Sequence, residues 1–236
     1  MSILNRIVSD LAAIIYPPKC IMCQEPLHIP SSLVCTKCFG SISYTRFWEY
    51  SDNAMAQHAR DLQPYIRHAC AMLFYDTHSR DMIHRMKYRG EWRTAEYMGE
   101  IFGGYLSRSE LYDSVDVVVP VPLHPLRRIG RGYNQSEYIA SGVASKLGCA
   151  KSFGNLYRTR YTSAQARKDK VDRWEMERGL FRLRDPKCLG GKHIALVDDV
   201  YTTGATIFRC AEALHHAVPD AQISIIAVAA SREYGV

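Results

Sequence analysis

A run of hydroxyl, acidic and glycine residues near the C-terminus has the composition of a loop that binds phosphate and sugar. The apolar stretch 193–197 predicts a buried strand, and a helix is predicted to begin at about residue 205. Between and just beyond them lie Asp198, Asp199, Thr202, Thr203, Gly204, Ala205 and Thr206. In an open α/β sheet, ligands bind outside the carboxyl ends of the strands, where this loop must lie. The free N–H groups and the positive dipole of a helix N-terminus suit a phosphate monoester.

The acidic pair narrows the kind of ligand. Asp198 and Asp199 cannot bind phosphate, because like charges repel, so their natural partners are sugar hydroxyls or a cation. A ligand with a phosphate at one end and a diol beside it satisfies the whole loop, which predicts a ribose 5-phosphate group. The alternative is a capped helix after a strand that happens to end in two aspartates. A P-loop is excluded, because the sequence contains no G-x-x-x-x-G-K-[ST] motif.

Two C-x-x-C pairs near the N-terminus predict a structural zinc site. The ligands would be Cys20, Cys23, Cys35 and Cys38. Four thiolates complete a tetrahedron and leave no open coordination position, so the metal would be structural rather than catalytic. A segment this short buries little core, and metal binding would supply its folding free energy. A redox C-x-x-C is the alternative, and His28 between the pairs is interpreted as a loop residue.

The bulk properties bound the class of protein. The chain has 236 residues, 47% of them hydrophobic, with a formal charge of +6 and a pI of about 8.9. This balance suits an anionic partner without selecting between a metabolite, nucleic acid and a membrane surface, and it is also typical of a merely basic protein. Apolar residues recur at helical spacing over 2–16 but polar ones interrupt them, which predicts an amphipathic helix and neither a signal peptide nor a transmembrane segment. We therefore expect a cytoplasmic protein, although a helix on the membrane surface is an alternative for 2–16.

Strand and helix patterns alternate along the rest of the chain. Strands are predicted over 66–75, 115–120, 155–159, 179–184, 193–197 and 222–229, and helices over 77–87, 91–107, 136–147 and 205–217. This alternation predicts an α/β fold, a mostly parallel sheet flanked by helices. We expect two domains: residues 1–45, an amphipathic helix plus the four-cysteine zinc ribbon, and residues 46–236, the α/β domain.

Several motifs together resemble a known family. The loop Asp198–Thr206 resembles the fingerprint with which type I phosphoribosyltransferases bind PRPP, 5-phosphoribosyl 1-diphosphate. The ComF family of competence-associated proteins is similar to this chain in Tyr16–Cys20, Asp116–Pro125, Arg131–Ser136 and the pattern Arg158-x-Arg160-x-Thr162-x-x-Gln165. The chain departs from the family pattern after Arg173, where the usual asparagine is absent. The resemblance covers nearly the whole chain and implies a type I phosphoribosyltransferase-like fold.

The resemblance also implies roles for individual residues. Backbone N–H groups of Leu123 and His124, with Arg127, Arg128 or Arg131, would face the diphosphate of PRPP. In phosphoribosyltransferases a mobile loop closes over the ligand at the place that corresponds to 160–173, which makes Arg160, Arg167 and Lys168 candidates for contacts with the departing diphosphate. Mg²⁺ would bridge diphosphate and ribose oxygens, and Asp198 and Asp199 would hold the diol. The alternatives are a solvated basic turn, an ordinary surface loop and, for Asn134, a helix cap.

The function implied by the resemblance is PRPP binding in DNA uptake for natural transformation. Single-stranded DNA and other competence or DNA-uptake proteins are then the expected partners, and the basic, aromatic segment Met82–Arg93 is the candidate DNA surface. One alternative is a salvage-type phosphoribosyltransferase that transfers phosphoribose from PRPP to a nitrogen acceptor. The other is a PRPP sensor without chemistry.

Overall fold

The computed structural model describes residues 18–27, 33–159 and 179–235. Several sequence predictions lie outside the described residues: the helix over 2–16, His28, Arg160, Arg167, Lys168 and the departure at Arg173.

A five-stranded, fully parallel sheet forms the centre of the fold, with strand order β1-β7-β6-β2-β3. Its strands are β1 (Ile66–Phe74), β2 (Val117–Pro120), β3 (Ala150–Lys151), β6 (His193–Tyr201) and β7 (Gln222–Ala230). An antiparallel pair, β4 (Leu156–Arg158) and β5 (Phe181–Leu183), lies apart from it. The inner strands are apolar on both faces and their side chains are almost fully buried, as expected for a parallel sheet covered on both sides. The predicted parallel sheet is confirmed.

Seven helices are described. They are α1 (Thr36–Ser41), α2 (Ala54–Leu62), α3 (Thr77–Tyr88), α4 (Trp92–Leu106), α5 (Pro125–Arg131), α6 (Gln135–Leu147) and α7 (Ala205–Ala217). The four predicted helices are α3, α4, α6 and α7. Helix α3 begins with a capping box, in which the Asp76 carboxylate accepts from the Ser79 N–H and the Ser79 hydroxyl accepts from the Asp76 N–H. Helices α4 and α6 pack closely because both carry a glycine, Gly99 and Gly142, where a Cβ would overlap the facing backbone.

The structure differs from the sequence predictions at two functionally relevant places. Strand β6 runs on through Asp198 and Asp199 to Tyr201, because its hydrogen-bonded register with β7 continues to Ala230. The segment predicted as a basic turn forms the short helix α5, which starts at Pro125 and ends at Gly132 with φ +80°. Proline in the first turn and a left-handed glycine after the last are helix boundary signals, so the sequence did contain evidence for α5.

The order of the strands in the sheet changes direction between the neighbouring parallel strands β2 and β6. From β2 the chain continues through α6 to β3, and from β6 through α7 to β7, so the two connections lead away from each other. Such a switch point leaves a crevice between the loops that follow the two strands, and open α/β sheets bind ligands there. The carboxyl ends of β2 and β6 thus define where to look for a site.

The cysteine segment packs against the end of α3. The buried guanidinium of Arg85 donates to the carbonyl oxygens of Ile21 and Met22, and its Nε lies 3.3 Å from a carboxylate oxygen of Glu91. Cys20 and Cys38 are buried, and the Cys35 thiol accepts from the Cys38 N–H at the start of α1. Among the described residues, no helix is long and apolar enough to cross a bilayer.

Candidate functional site

A cleft of about 370 Å³ opens at the switch point. The residues that line it are Tyr75, Lys87, Val121, Pro122, Leu123, Arg127, Arg131, Asn134, Gln135, Ser136, Arg158, Asp198, Asp199, Val200, Thr202 and Thr206. They come from the loops after β1 and β2, from β6 and the loop after it, and from α3, α5, α6, α7 and β4, with Asn134 just before α6. The cleft therefore brings together several of the residues that the sequence singled out, among them Asp198, Asp199, Thr202 and Thr206.

One end of the cleft is the loop between β6 and α7. Gly204 caps α7 with φ +72° and has no side chain to accept from the helix, and the Ala205 N–H makes only a long contact of 3.5 Å to the Thr203 hydroxyl, so this helix N-terminus suits an anion. Thr202, Thr203 and Thr206 are exposed at the same place. Behind the loop, the Tyr234 hydroxyl donates to the Thr202 carbonyl at 2.7 Å and fixes the backbone there.

The acidic pair lies next to this loop. The Asp198 Oδ1 accepts from the Ser136 hydroxyl at 3.0 Å and from the Asp199 N–H at 2.8 Å. Asp199 is 4% exposed, and its carboxylate contacts Lys87 Nζ at 2.9 Å and Gln135 Nε2 at 2.7 Å. Burial, followed by the adjacent Asp199 carboxylate, raises the pKa of Asp198 above its usual range.

A chain of polar contacts connects α3, α5, α6 and β6 around the acidic pair. Arg131 donates to the Gln135 side-chain oxygen at 3.0 Å and to the Tyr88 hydroxyl at 3.2 Å, and its guanidinium lies 4.7 Å from the Tyr88 ring centre. Gln135 in turn donates to Asp199, which pairs with Lys87. Because Lys87 and Tyr88 are neighbours on α3, the contacts close into a ring.

The positions of Lys87 and Arg85 do not fit the prediction that Met82–Arg93 is a single surface for DNA. Lys87 belongs to the cleft, and Arg85 is buried against the cysteine segment. Of the aromatic residues, Tyr88 contacts the Arg131 guanidinium and the His84 ring, whose centre is 4.6 Å away, but Tyr88 is 61% exposed and Trp92 is 38% exposed. The exposed cations that this segment still offers include Arg89 and Arg93.

Cations line part of the wall of the cleft. Arg127, Arg131 and Arg158 all border it, and the buried Nε of Arg158 has no hydrogen-bond partner among the described residues. Burial, followed by the charges of Arg158 and Arg127, lowers the pKa of His124. A wall of this kind favours an anion with several oxygens, such as a diphosphate.

The predicted residues of this wall are only partly in place. Leu123 and Arg131 line the cleft, whereas the His124 imidazole accepts from the Leu126 N–H at 3.2 Å and caps α5. Arg128 points to Glu137 at 3.2 Å. Asn134 is the cap of α6, as one interpretation of the sequence held, and it also donates to the Val121 carbonyl at 3.0 Å.

Sequence reasoning assigned no role in a phosphoribosyl site to Gln135, Ser136 or Arg158, and it placed Lys87 on the candidate DNA surface, yet all four residues line the cleft. Gln135, Ser136 and Arg158 stand inside motifs that carried the family resemblance, so the signal for them was present. Lys87 had no such signal, because only the packing of α3 brings it to β6.

The four cysteines form a site that could hold a structural metal ion. Their sulfur atoms all lie within 4.8 Å of one another, and those of Cys23 and Cys35 are 3.8 Å apart. A tetrahedral ion with metal–sulfur bonds of about 2.3 Å requires sulfurs about 3.8 Å apart, so the donor set fits. In the part of the chain that the structure describes, this is the one group of three or more His, Cys, Asp or Glu residues arranged to bind a metal.

Comparison with known proteins gives several relatives by sequence. The "DNA utilization protein YhgH" of Salmonella typhi is 37% identical over 99 residues, which are 42% of this chain and 43% of that protein. "Competence protein F" of Haemophilus influenzae is 24% identical and covers 80% of this chain and 87% of its own length. "Competence protein ComFC" of Streptococcus pneumoniae is 29% identical, over 62% of this chain and 61% of that protein. The match thus spans less than half of the Salmonella relative. No protein-family model matches the chain.

Solved structures with some likeness include two enzymes that use or transfer phosphoribosyl groups by name. A glutamine PRPP amidotransferase from B. subtilis, with ADP and GMP, is 22% identical over 55% of this chain and 26% of its own, at a TM-score of 0.39. A purine phosphoribosyltransferase from Pyrococcus horikoshii is 14% identical over 59% of this chain and 84% of its own, at a TM-score of 0.37. These TM-scores are low, so the interpretation of the site rests on its own geometry.

Proposed function

We propose, from the premise that this chain belongs to the ComF family of competence-related proteins, that its cleft binds PRPP or another phosphoribosyl ligand. One observation carries the proposal: an uncapped helix N-terminus, a carboxylate pair and three arginines line a single cleft at the switch point of the sheet. The three groups match a 5-phosphate, a ribose diol and a diphosphate in turn. The domain boundary near residue 45, with the cysteine module before it, is part of the same proposal.

The ligand would lie with its phosphate at the N-terminus of α7. The diol would then face the carboxylate end of the cleft, and the diphosphate would extend toward Leu123, Arg127 and Arg158. Departure of the diphosphate from C1 leaves positive charge on the ribose ring, which nearby carboxylates stabilise. Mg²⁺ would arrive with the diphosphate rather than occupy a site of its own. Arg160 and Lys168 stay sequence-based candidates for contacts with the diphosphate.

A matched pair of arginine variants tests the binding mode. Ligand at about 100 times its dissociation constant stabilises a protein by about 2.7 kcal/mol, which is readable as a melting shift. We expect PRPP to give such a shift in the wild type, and Arg158→Gln to weaken PRPP binding more than ribose 5-phosphate binding. Arg184→Gln, just after β5, removes the same charge from an exposed site beside Tyr157 and is the control. Equal effects of the two variants would reject the diphosphate wall.

Turnover distinguishes an enzyme from a sensor. Diphosphate release should be measured with PRPP alone, with nitrogen bases and with single-stranded DNA. Release that depends on a base would favour the salvage-type transferase. PRPP binding without release under any of these conditions would favour the sensor.

We further propose a role in DNA uptake, with single-stranded DNA and other DNA-uptake proteins as partners and the cytoplasm as the site of action. The names of the relatives and the surplus of +6 charges support it. Phosphate contacts release counterions, so affinity should fall with salt by about 0.7 log units per log unit for each contact. Replacing Arg89 and Arg93 by Gln should weaken DNA binding and flatten this slope.

The control for DNA binding is the double variant Lys146→Gln, Lys151→Gln. It removes the same net charge from α6 and β3. If the control lowers affinity as much as the arginine variant does, binding reflects net charge alone and the proposed surface is rejected.

For the cysteine cluster we propose zinc as the metal. Four thiolates in a closed tetrahedral set suit Zn²⁺, and the closed set implies a structural role.

A further inference from the structure

A small polar cluster lies behind the loop between β6 and α7. Its members are His58 on α2, Tyr201 at the end of β6 and Tyr234 in the 3-10 turn Arg232–Tyr234. The His58 Nδ1 lies 2.7 Å from the Tyr201 hydroxyl and 3.4 Å from the Tyr234 hydroxyl, which donates to the Thr202 carbonyl at 2.7 Å. Thr202 lines the cleft and the three members of the cluster do not. The cluster therefore holds the loop from the side away from the cleft.

The side chains of the cluster are held in place by packing. Tyr201 is 1% exposed, and its ring meets that of Phe208 edge-on with the ring centres 5.9 Å apart. The His58 ring centre is 5.9 Å from that of Phe208 and 5.2 Å from that of Tyr234. Burial raises the pKa of Tyr201 and of Tyr234, so both phenols keep their protons at neutral pH. A neutral His58 that accepts from Tyr201 leaves Tyr234 to donate to the loop, and each phenol proton then has an acceptor.

The hydrogen bond to Thr202 sets the direction of the next backbone N–H. A trans peptide is planar, with its C=O and its N–H on opposite sides, and no cis peptide bond occurs in the described ranges. Because the Thr202 carbonyl points to Tyr234, the Thr203 N–H points the other way, toward the side on which Thr202 and Thr206 line the cleft. Among the described residues this N–H has no backbone acceptor. It thus adds a donor beside the first turn of α7.

We propose that Tyr234 is a positioning residue, whose hydroxyl holds the peptide between Thr202 and Thr203 so that the Thr203 N–H faces the phosphate of the ligand. The proposal rests on the proposed phosphoribosyl function and extends it to a turn outside the cleft. Without this hydroxyl the peptide would be free to rotate. A rotated peptide would turn the Thr202 carbonyl toward the cleft, and its partial negative charge would repel a phosphate. His58 supports Tyr234 from α2.

Removal of single hydroxyl groups tests the proposal, with ribose 5-phosphate as the probe. Tyr234→Phe keeps the ring and should lower the affinity by about three- to tenfold, the usual effect of one hydrogen bond. Tyr65→Phe is the matched control, because the Tyr65 hydroxyl has no partner among the described residues and its ring stacks on His215 away from the cleft. The control should keep full affinity. His58→Phe should lower the affinity less than Tyr234→Phe, since it loosens the donor without removing it.

The orientation of the peptide can be measured without a ligand. The Thr203 amide nitrogen belongs to the same peptide group as the Thr202 carbonyl, so its NMR chemical shift responds to a hydrogen bond on that carbonyl. Tyr234→Phe should move this signal, and Tyr65→Phe should leave it in place. A role of the hydroxyl in overall stability alone would lower the urea midpoint without moving the Thr203 signal.

The two measurements separate the proposal from the function on which it rests. An unchanged Thr203 signal in Tyr234→Phe, or an affinity equal to that of Tyr65→Phe, would overturn the positioning role. A lower urea midpoint with full affinity would overturn it as well. Absence of ribose 5-phosphate binding in the wild type would instead reject the proposed function, and the role of Tyr234 toward a phosphate with it. The Thr203 signal would still decide whether Tyr234 orients the peptide.

Discussion

At the scale of single residues, Gly204 has the most constrained position in the loop between β6 and α7. Its φ of +72° is a conformation that side chains with a Cβ adopt at a cost of about 1–2 kcal/mol. A Cβ would also overlap the ring of Phe208, which is buried on the next turn of α7. Only glycine fits both the positive φ and the short distance to the Phe208 ring, so glycine at this position lets the loop pass close to its own helix.

Gly204→Ala should therefore destabilise the protein and weaken ribose 5-phosphate binding. Gly90→Ala is a matched control, because Gly90 also has φ +72° but nothing lies within 4 Å of its Cβ position. We expect the control to show the backbone cost alone and to keep full affinity. Urea unfolding and ligand-induced melting shifts measure the two effects. Equal destabilisation by the two substitutions would show that the Phe208 ring yields without cost.

At the scale of elements, α3 contributes most to the site and was the least predictable part of it. The apolar spacing of α3 was readable from the sequence, and so was the strand that leads to the acidic pair. The pairing of Lys87 with Asp199 was not, because the residues are far apart in sequence and meet only through the packing of α3 beside β6. Local pattern predicts where an element begins and ends, whereas contacts across elements depend on how they pack.

The cap of α3 makes its stability dependent on pH. Burial acts to raise the pKa of Asp76, but hydrogen bonds from Ser79, then from Ser43 and Arg232, outweigh it and hold the pKa below its usual range. The folded state thus favours the ionised form, so this contribution is full above the ordinary aspartate pKa and is lost as the pH falls through the lowered one. Asp76→Ala should cost about 1 kcal/mol at pH 7 and progressively less in acid.

The control for Asp76→Ala is Asp81→Ala in the same helix. Asp81 is exposed, and its ion pair with Arg80 is long at 3.8 Å, so it should contribute little at any pH. Urea unfolding between pH 7 and pH 3 compares the variants. A deficit in Asp76→Ala that does not shrink in acid would contradict the ionised cap.

The close packing of α4 against α6 should be sensitive to substitution of its glycines. Gly99→Ala would push a Cβ into the Ile139 carbonyl and should cost about 1–3 kcal/mol. Gly104→Ala, on the same helix, has nothing within 4 Å and should stabilise by about 0.5–1 kcal/mol, because alanine favours a helix. Urea midpoints measure both, and a tolerated Gly99→Ala would mean that the two helices can separate.

At the scale of the whole molecule, the cysteine segment is fastened to the α/β domain through Arg85. The purified protein should contain about one zinc per chain, and Cys23→Ser should lose the metal and melt at a lower temperature. Cys188→Ser is the control, because Cys188 is exposed and lies outside the cluster. Elemental analysis and thermal melts give the two readings. A Cys23→Ser variant with full zinc content would reject the site.

The last turn of α3 connects this metal site to the cleft. Arg85 reaches the Ile21 and Met22 carbonyls beside the cysteines, and two residues later Lys87 reaches Asp199. A coupling free energy between the two sites is reciprocal. If loss of the metal lowers the affinity for the ligand by some factor, binding of the ligand raises the affinity for the metal by the same factor. We therefore expect a phosphoribosyl ligand to slow the extraction of zinc by a chelator. The concentration of a metabolite would then influence how tightly the protein retains its metal.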